Sequence, residues 1–253
     1  MDIGAIWDTI ILQPVLNTLI ALCSVLFSNF GVTIIGLTII VRFLMLPLTL
    51  KQLRSSRAMQ ALQPKQAKLQ QKYAKDKQRL AQEQMKLYKE SGVNPAGCIL
   101  PMLIQMPVWI ALYQSIIRVL AVTPEAFLNL SKYLYSWPVV HSMLPLNNEF
   151  LWLDLALPDS IFLLAILVGG TMWLQQKMMT PPTADPRQAA QSKMMLWMMP
   201  MMFAFFTLSF PSGLALYWVT SNIITIIIQY RFTGGWGGLS KSTVTQPAGR
   251  RGT

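Results

Sequence analysis

The chain of 253 residues is apolar and basic, with 53% hydrophobic residues, 12% charged residues and a formal net charge of +11. A typical soluble domain carries about 25% charged residues, so this composition disfavours a soluble fold. The Lys and Arg residues are concentrated in polar segments between apolar runs, the distribution of a membrane protein with one basic side rather than of a DNA-binding protein. We therefore predict an all-α polytopic membrane protein.

Residues 1–30 are expected to form an amphipathic segment outside the cytoplasm. They contain no basic n-region, so they do not resemble a cleavable signal peptide. The apolar run 10–27 is interrupted by Gln13, Pro14 and Asn17. These interruptions favour a helix that lies in the membrane interface, and a true transmembrane span is the alternative.

Residues 31–50 predict the first core span, because about 20 apolar residues cross a bilayer. This run carries Arg42 near its middle. A central arginine costs about 2.5 to 3.5 kcal/mol on insertion scales, and none of the other apolar runs contains Asp or Glu. We expect Arg42 to face water inside the protein, and the alternative is a side chain that snorkels to the nearer headgroups.

Residues 51–97 are strongly basic, which by the positive-inside rule makes this segment cytoplasmic. Met59, Leu62 and Leu69 recur at helical spacing, and Asp76 marks a turn before a second helical pattern. We predict a cytoplasmic hairpin of two amphipathic helices. Its basic face would attract anionic headgroups or ribosomal RNA, and the alternative is a solvated hairpin with no partner.

Four further spans are predicted at 98–120, 161–179, 194–210 and 214–230. With 31–50 they give a core of five transmembrane helices within residues 31–232, with an external loop at 121–160. The last two spans have about 17 residues each, near the lower limit for crossing, and only Pro211, Ser212 and Gly213 separate them. Residues 233–253 are expected to be a disordered basic tail. The charge asymmetry places the N-terminus outside and the C-terminus in the cytoplasm.

Three stretches carry a resemblance to a known family. They are PLTLKQLRSSRAMQALQP at 47–64, LYKESGVNPAGCILPMLIQMPVWIALY at 87–113 and PSGLALYWVTSN at 211–222. In order and spacing they resemble the YidC/Oxa/Alb family of membrane protein insertases, in a short form without a large periplasmic domain. The resemblance covers nearly the whole chain.

The resemblance implies five core spans around a hydrophilic groove that opens to the cytoplasm and to lipid. It implies location in the bacterial plasma membrane and a role in inserting and folding newly made membrane proteins, alone or with the Sec translocon. The implied partners are nascent membrane proteins, the ribosome at the hairpin and tail, and the lipid bilayer. The groove would pass the polar tail of a client while its span slides into lipid.

The resemblance also implies a set of groove residues. Arg42 would be the groove charge, with Thr38 one turn before it, and Tyr217 and Trp218 would contact the passing substrate. The further candidates for the groove are polar residues of other spans, namely Gln105, Gln175, Gln176 and Asn222.

The residue chemistry predicts no enzyme and no cofactor. The single histidine, His141, lies in the external loop, and the sequence has neither a metal-ligand spacing nor a Gly-rich phosphate loop. The rival function is a secondary transporter of small solutes, because polar residues in short, proline-broken spans can build a solute site. The absence of an intramembrane acid and of an inverted repeat disfavours it. A structural scaffold is the third alternative and would not need Arg42.

Overall fold

The computed structural model describes residues 3–93, 100–120, 130–137, 146–180 and 186–233. This part of the chain is mostly helical, as the composition predicts. The helices are α1 (Ile3–Trp7), α2 (Gln13–Val25), α3 (Phe30–Leu44), α4 (Leu46–Lys72), α5 (Lys77–Glu90), α6 (Leu100–Val119), α7 (Leu163–Met179), α8 (Pro186–Thr207) and α9 (Ser212–Thr233). Strands β1 (Glu149–Phe150) and β2 (Leu153–Asp154) pair in antiparallel fashion. The tail from 234 and parts of the predicted external loop, 121–129 and 138–145, lie outside the described residues.

The N-terminal segment is a nearly continuous helix from Gly4 to Val25. By length and composition it can cross a membrane, as can Ser212–Phe232. This is the property that the alternative for the run 10–27, a transmembrane span, requires. Pro14 lacks an N–H and its ring crowds the carbonyl four residues earlier. The π-helical turn Asp8–Leu12, which joins α1 and α2, widens the helix at this point and accommodates the proline.

Asn17 is fully buried in this helix although its polarity suggested an interface. Its Nδ2 donates to the backbone oxygens of Gln13 and Tyr133, both at 2.8 Å. Its Oδ1 accepts from the backbone N–H of Tyr135 at 2.8 Å. The side chain is thus satisfied inside the protein and ties α2 to the segment around the 3₁₀ turn Ser131–Tyr133.

The predicted span 31–50 is not one straight helix. Helix α3 ends at Leu44, α4 begins at Leu46, and their axes differ by 61°. Residues 46–50 therefore belong to the helix that continues into the basic segment. Pro47 lies in the first turn of α4, where a missing N–H is tolerated, whereas the same residue inside a continuous helix would break its hydrogen-bond ladder.

The β-hairpin fixes the beginnings of α3 and α9 at one end of the bundle, which we call the loop end. A Cβ on Gly31 would overlap the Phe150 ring, so only glycine allows β1 to lie this close to α3. Ser212 Oγ donates to the backbone oxygen of Asp154 at 2.5 Å, and the backbone N–H of Gly213 donates to Leu155 O at 3.1 Å. The two helices therefore begin at the same level.

The core lies next to the β-hairpin and is mainly aliphatic, with Phe30 and Tyr217 as its buried aromatic residues among the described residues. Its largest fully buried side chains come from the N-terminal helix, α3, α6, the β-hairpin segment and α9. They include Leu16, Leu19, Ile20, Phe30, Ile34, Ile116, Leu155 and Leu214. The N-terminal helix therefore contributes to the same hydrophobic core as the other helices.

The basic segment forms the two expected helices, α4 and α5, and they differ in how they are held. Leu53 and Leu62 of α4 are buried, and Gln60 Nε2 donates to Met179 O at the end of α7, at 2.7 Å. Helix α5 has no buried residue. Its hydrogen bond to α4 joins Gln66 Nε2 to the Tyr88 hydroxyl at 3.0 Å. The first helix is thus part of the bundle, and the second is attached mainly to the first.

We predict that Asn17→Ala lowers the free energy of unfolding by about 1 to 3 kcal/mol, because it leaves buried backbone groups without a partner. Thr18→Ala is the matched control, since Thr18 is exposed on the same helix and should change stability by no more than about 0.5 kcal/mol. Thermal unfolding of the purified protein in detergent measures both. Equal shifts in the two variants would show that the Asn17 bonds do not anchor the helix.

Candidate functional site

Arg42 lies in the last turn of α3 rather than at the centre of a long span. This corrects the expectation from the 31–50 run, and the reason is the bend after Leu44. The C-terminal end of a helix carries a partial negative charge, which stabilises a cation by about 0.3 to 1 kcal/mol. Arg42 is half-buried at this position.

The hydrogen-bond partner of Arg42 is a neutral hydroxyl, Ser221 of α9. Arg42 Nε donates to Ser221 Oγ at 2.8 Å, and Arg42 Nη2 donates to the same oxygen. Within the described part of the chain, Arg42 has no carboxylate partner. The hydroxyl satisfies N–H groups but carries no charge, so the positive charge is not neutralised by these residues.

A second pair of side chains adjoins the first. Gln105 Nε2 of α6 donates to the hydroxyl of Tyr217, which is buried. Tyr217 lies one turn before Ser221 on the same face of α9, and its hydroxyl also interacts with Ser221 and with the charge of Arg42. Arg42, Gln105, Tyr217 and Ser221 therefore form one connected group from three helices, which we call the polar network.

Thr38 and Asn222 make other contacts. Thr38 is buried, and its hydroxyl donates to the backbone oxygen of Ile34 at 2.6 Å. This bond satisfies the hydroxyl within α3. Asn222 Nδ2 donates to the Thr171 hydroxyl at 3.1 Å, which links α9 to α7 rather than to the polar network.

Gln175 and Gln176 lie near the end of α7, and neither forms a hydrogen bond with the polar network in the described part of the chain. Gln176 Oε1 is buried without a hydrogen-bond partner among the described residues. Trp218 is half-buried and stacks on Trp109, with ring centroids 5.9 Å apart and ring planes 8° from parallel. Of the eight predicted groove residues, the structure thus brings Arg42, Gln105 and Tyr217 together.

Ser221 is the member of the network that sequence reasoning missed. It stands inside the stretch PSGLALYWVTSN, four residues after Tyr217, so helical spacing places the two on one face. That spacing was the available signal. A serine in an apolar helix is common, however, and nothing in the sequence distinguishes one that accepts from an arginine.

A separate apolar pocket of about 340 Å³ lies between α7 and α8. Small residues form its floor, including Gly169 and Ala204, and the rings of Trp173 and Trp197 flank it. It contains none of the polar network residues. The charge and the apolar pocket therefore occupy different parts of the bundle.

A helical bundle with helices long and apolar enough to cross a membrane, and with an arginine held between helices by a neutral hydroxyl, is typical of an integral membrane protein. The sequence model of the 60Kd inner membrane protein family matches residues 22–234. The membrane protein insertase MisCA of Bacillus subtilis (strain 168) is 38% identical over 233 residues, covering 90% of this chain and 79% of that protein. The membrane protein insertase YidC 2 of Bacillus anthracis is 38% identical, covering 90% and 82%.

This chain belongs to the 60Kd inner membrane protein family, and both Bacillus relatives are named membrane protein insertases. The resemblance drawn from the three sequence stretches is confirmed. A crystal structure of an active YidC insertase with its first transmembrane domain resolved matches with a TM-score of 0.54 and 28% identity, covering 81% of this chain and 42% of that one.

A double-mutant cycle tests the Arg42–Ser221 contact. We expect Ser221→Ala to reduce stability in the native chain but to have a much smaller effect in an Arg42→Leu background, with a coupling energy of about 0.5 to 3 kcal/mol. Thr225→Ala is the control, because its hydroxyl donates to the Ser221 backbone oxygen and not to Arg42. Thermal or denaturant unfolding in detergent gives the energies. A coupling energy with Arg42 that is as small for Ser221 as for Thr225 would contradict the Arg42–Ser221 contact.

Proposed function

We propose that this chain inserts and helps to fold newly made membrane proteins in the bacterial plasma membrane, with α3, α6, α7, α8 and α9 as its five core spans. Family membership and the insertase names of its relatives support this function. The relatives give no support to the transporter alternative, and they are named as insertases rather than as enzymes.

The observation that carries the mechanism is the positive charge of Arg42, held by a hydroxyl instead of a carboxylate. A client with an acidic tail must take that tail through hydrocarbon, where unpaired charges are costly. A transient ion pair with Arg42 lowers this cost. Because Ser221 is neutral, an acidic tail that binds Arg42 has to displace only a hydrogen bond and not an internal salt bridge.

The client span would leave the groove along the faces of α6 and α9. Tyr217 and Trp218 lie at this junction, where the buried Tyr217 bonds to Gln105 and the half-buried Trp218 offers apolar surface. A polar tail would therefore meet the network while the apolar span meets aromatic and aliphatic side chains. Thr38, Gln175, Gln176 and Asn222 belong to the proposed groove as its further lining.

The basic helices α4 and α5 are the proposed cytoplasmic contact for the ribosome, with the basic tail as a second contact. Helix α5 supports this assignment because it has no buried residue and so leaves its charges available to a partner. The C-terminus would lie in the cytoplasm. The N-terminus would lie outside with residues 10–27 in the interface, and in the cytoplasm with the N-terminal helix as a span, which its length and composition allow. Insertion would proceed alone or together with the Sec translocon.

We predict that Arg42→Ala reduces insertion of a client with an acidic tail about tenfold, corresponding to the loss of about 1.4 kcal/mol of charge attraction. Arg42→Lys should retain most activity because a point charge suffices. Insertion is measured in proteoliposomes with one single-span client in two forms, with its tail acids intact or neutralised. Equal losses for the two forms in Arg42→Ala would contradict the attraction.

Ser221→Asp gives a sharper version of this test. The new carboxylate would form an ion pair with Arg42 and neutralise its charge. The preference of the protein for clients with acidic tails should therefore fall although Arg42 is present. Ser221→Asn is the matched control, since it is similar in size and neutral. If both variants kept the same preference for acidic tails, the freedom of the Arg42 charge would have no part in insertion.

For the α5 contact, we predict that replacing Arg79, Lys86 and Lys89 by glutamine weakens binding to ribosomes and lowers its dependence on salt, because fewer phosphates are neutralised. The control replaces Glu83 and Glu90 by glutamine on the same helix. Cosedimentation of detergent-solubilised protein with ribosomes at several salt concentrations measures both. Undiminished binding of the basic-residue variant would exclude α5 as the contact.

A further inference from the structure

Aromatic side chains meet beside the aliphatic core, and we call four of them the aromatic cluster. Trp109 and Tyr113 belong to α6, Phe210 to the turn before α9, and Trp218 to α9. The ring centroids of their contacting pairs are 5.4 to 6.2 Å apart. Phe203 and Phe206 of α8 add ring contacts with two of these four, at 5.2 Å and 6.4 Å between ring centroids. All four cluster residues are half-buried and pack against the aliphatic core. The cluster therefore extends that core towards the surface of the bundle.

The aromatic cluster lies between the Arg42–Ser221 pair and the loop end. On α6, Gln105, Trp109 and Tyr113 are spaced by four residues and share one face, so the face changes from polar to aromatic within one turn. On α9, Trp218 precedes Ser221 by about one turn and lies nearer to the helix start, and Tyr217 of the polar network lies at the level of the cluster. Phe210 is at the loop end itself, beside the start of α9.

This order of layers has a consequence for permeability. In the proposed groove, water would reach Arg42, so an ion would need to cross only the apolar layer that is left. The charge of Arg42 would attract anions to that point. Contacting aromatic rings fill space, and their carbon atoms cannot replace the hydration shell of an ion, which makes passage through them costly.

We propose that the aromatic cluster is an ion barrier, which prevents the polar network from becoming an anion-conducting path across the membrane. This role concerns ions rather than clients. It rests on the wet groove of the proposed function. Chloride efflux and client insertion are measured separately, so the failure of one proposal is distinguishable from the failure of the other.

The test measures chloride efflux from liposomes containing the purified full-length chain, without client or ribosome. The double variant Trp109→Ala with Trp218→Ala should increase chloride efflux by about tenfold or more, the equivalent of about 1.4 kcal/mol lost from the barrier. Potassium efflux should increase less because Arg42 repels cations. Phe205→Ala is the matched control, since Phe205 is exposed on α8 and has no ring contact with the cluster in the described part of the chain.

Adding Arg42→Ala to the double variant should remove the preference for chloride over potassium. If the double variant failed to fold, as judged by its unfolding temperature, the single variants Trp109→Ala and Trp218→Ala would replace it. Trp218→Leu keeps an apolar side chain and should leave chloride efflux at the native level. Folded alanine variants with the chloride efflux of the native chain would overturn the proposal. So would an equal leak in Phe205→Ala.

Discussion

A guanidinium held between membrane helices by a neutral hydroxyl is the interaction on which the rest of this structure depends. Leaving an arginine inside a span costs about 2.5 to 3.5 kcal/mol, and the dipole at the end of α3 returns only about 0.3 to 1 kcal/mol. Hydrogen bonds to a charged group contribute about 1.5 to 3 kcal/mol, so the contact with Ser221 is the larger offset. Unlike a carboxylate, it leaves the charge itself available.

The contact requires α3 and α9 to be aligned along their length, and the loop end provides this alignment. Gly31 fits beneath Phe150, and Ser212 bonds to Asp154, so both helices start from the same β-hairpin. At about 1.5 Å per residue, Arg42 lies about 16 Å from Gly31 and Ser221 lies about 14 Å from Ser212. Their similar depth is why one serine can meet the arginine. A packing detail at the loop end thus determines the site farther along the bundle.

The sequence was sufficient for the features that follow from composition and residue type. The absence of acids from the apolar runs predicted that Arg42 has no carboxylate partner. The helical spacing of apolar residues on both sides of Asp76 predicted the helix pair α4 and α5. The bend after Leu44 was not predicted, because the apolar run continues through it and Pro47 is compatible with several geometries. Asn17 was misleading, since a polar residue in an apolar run looks the same whether it faces an interface or bonds to buried backbone. The role of Ser221 follows from a contact between two helices that are distant in sequence, and local sequence patterns carry no information on such contacts.

The length of α3 links the charge to the bilayer. Its 15 residues span about 22 Å, less than the roughly 30 Å of hydrocarbon in a typical membrane, and α7 is also short at 17 residues. A membrane adapts to short helices by thinning, which brings headgroups and water closer to their ends. Because Arg42 is in the last turn of α3, such thinning would bring it near water on one side. In the proposed mechanism, snorkelling and a wet groove would then be the same arrangement. Arg42 would reach water from the helix end, and the aromatic cluster would lie across the remaining apolar distance.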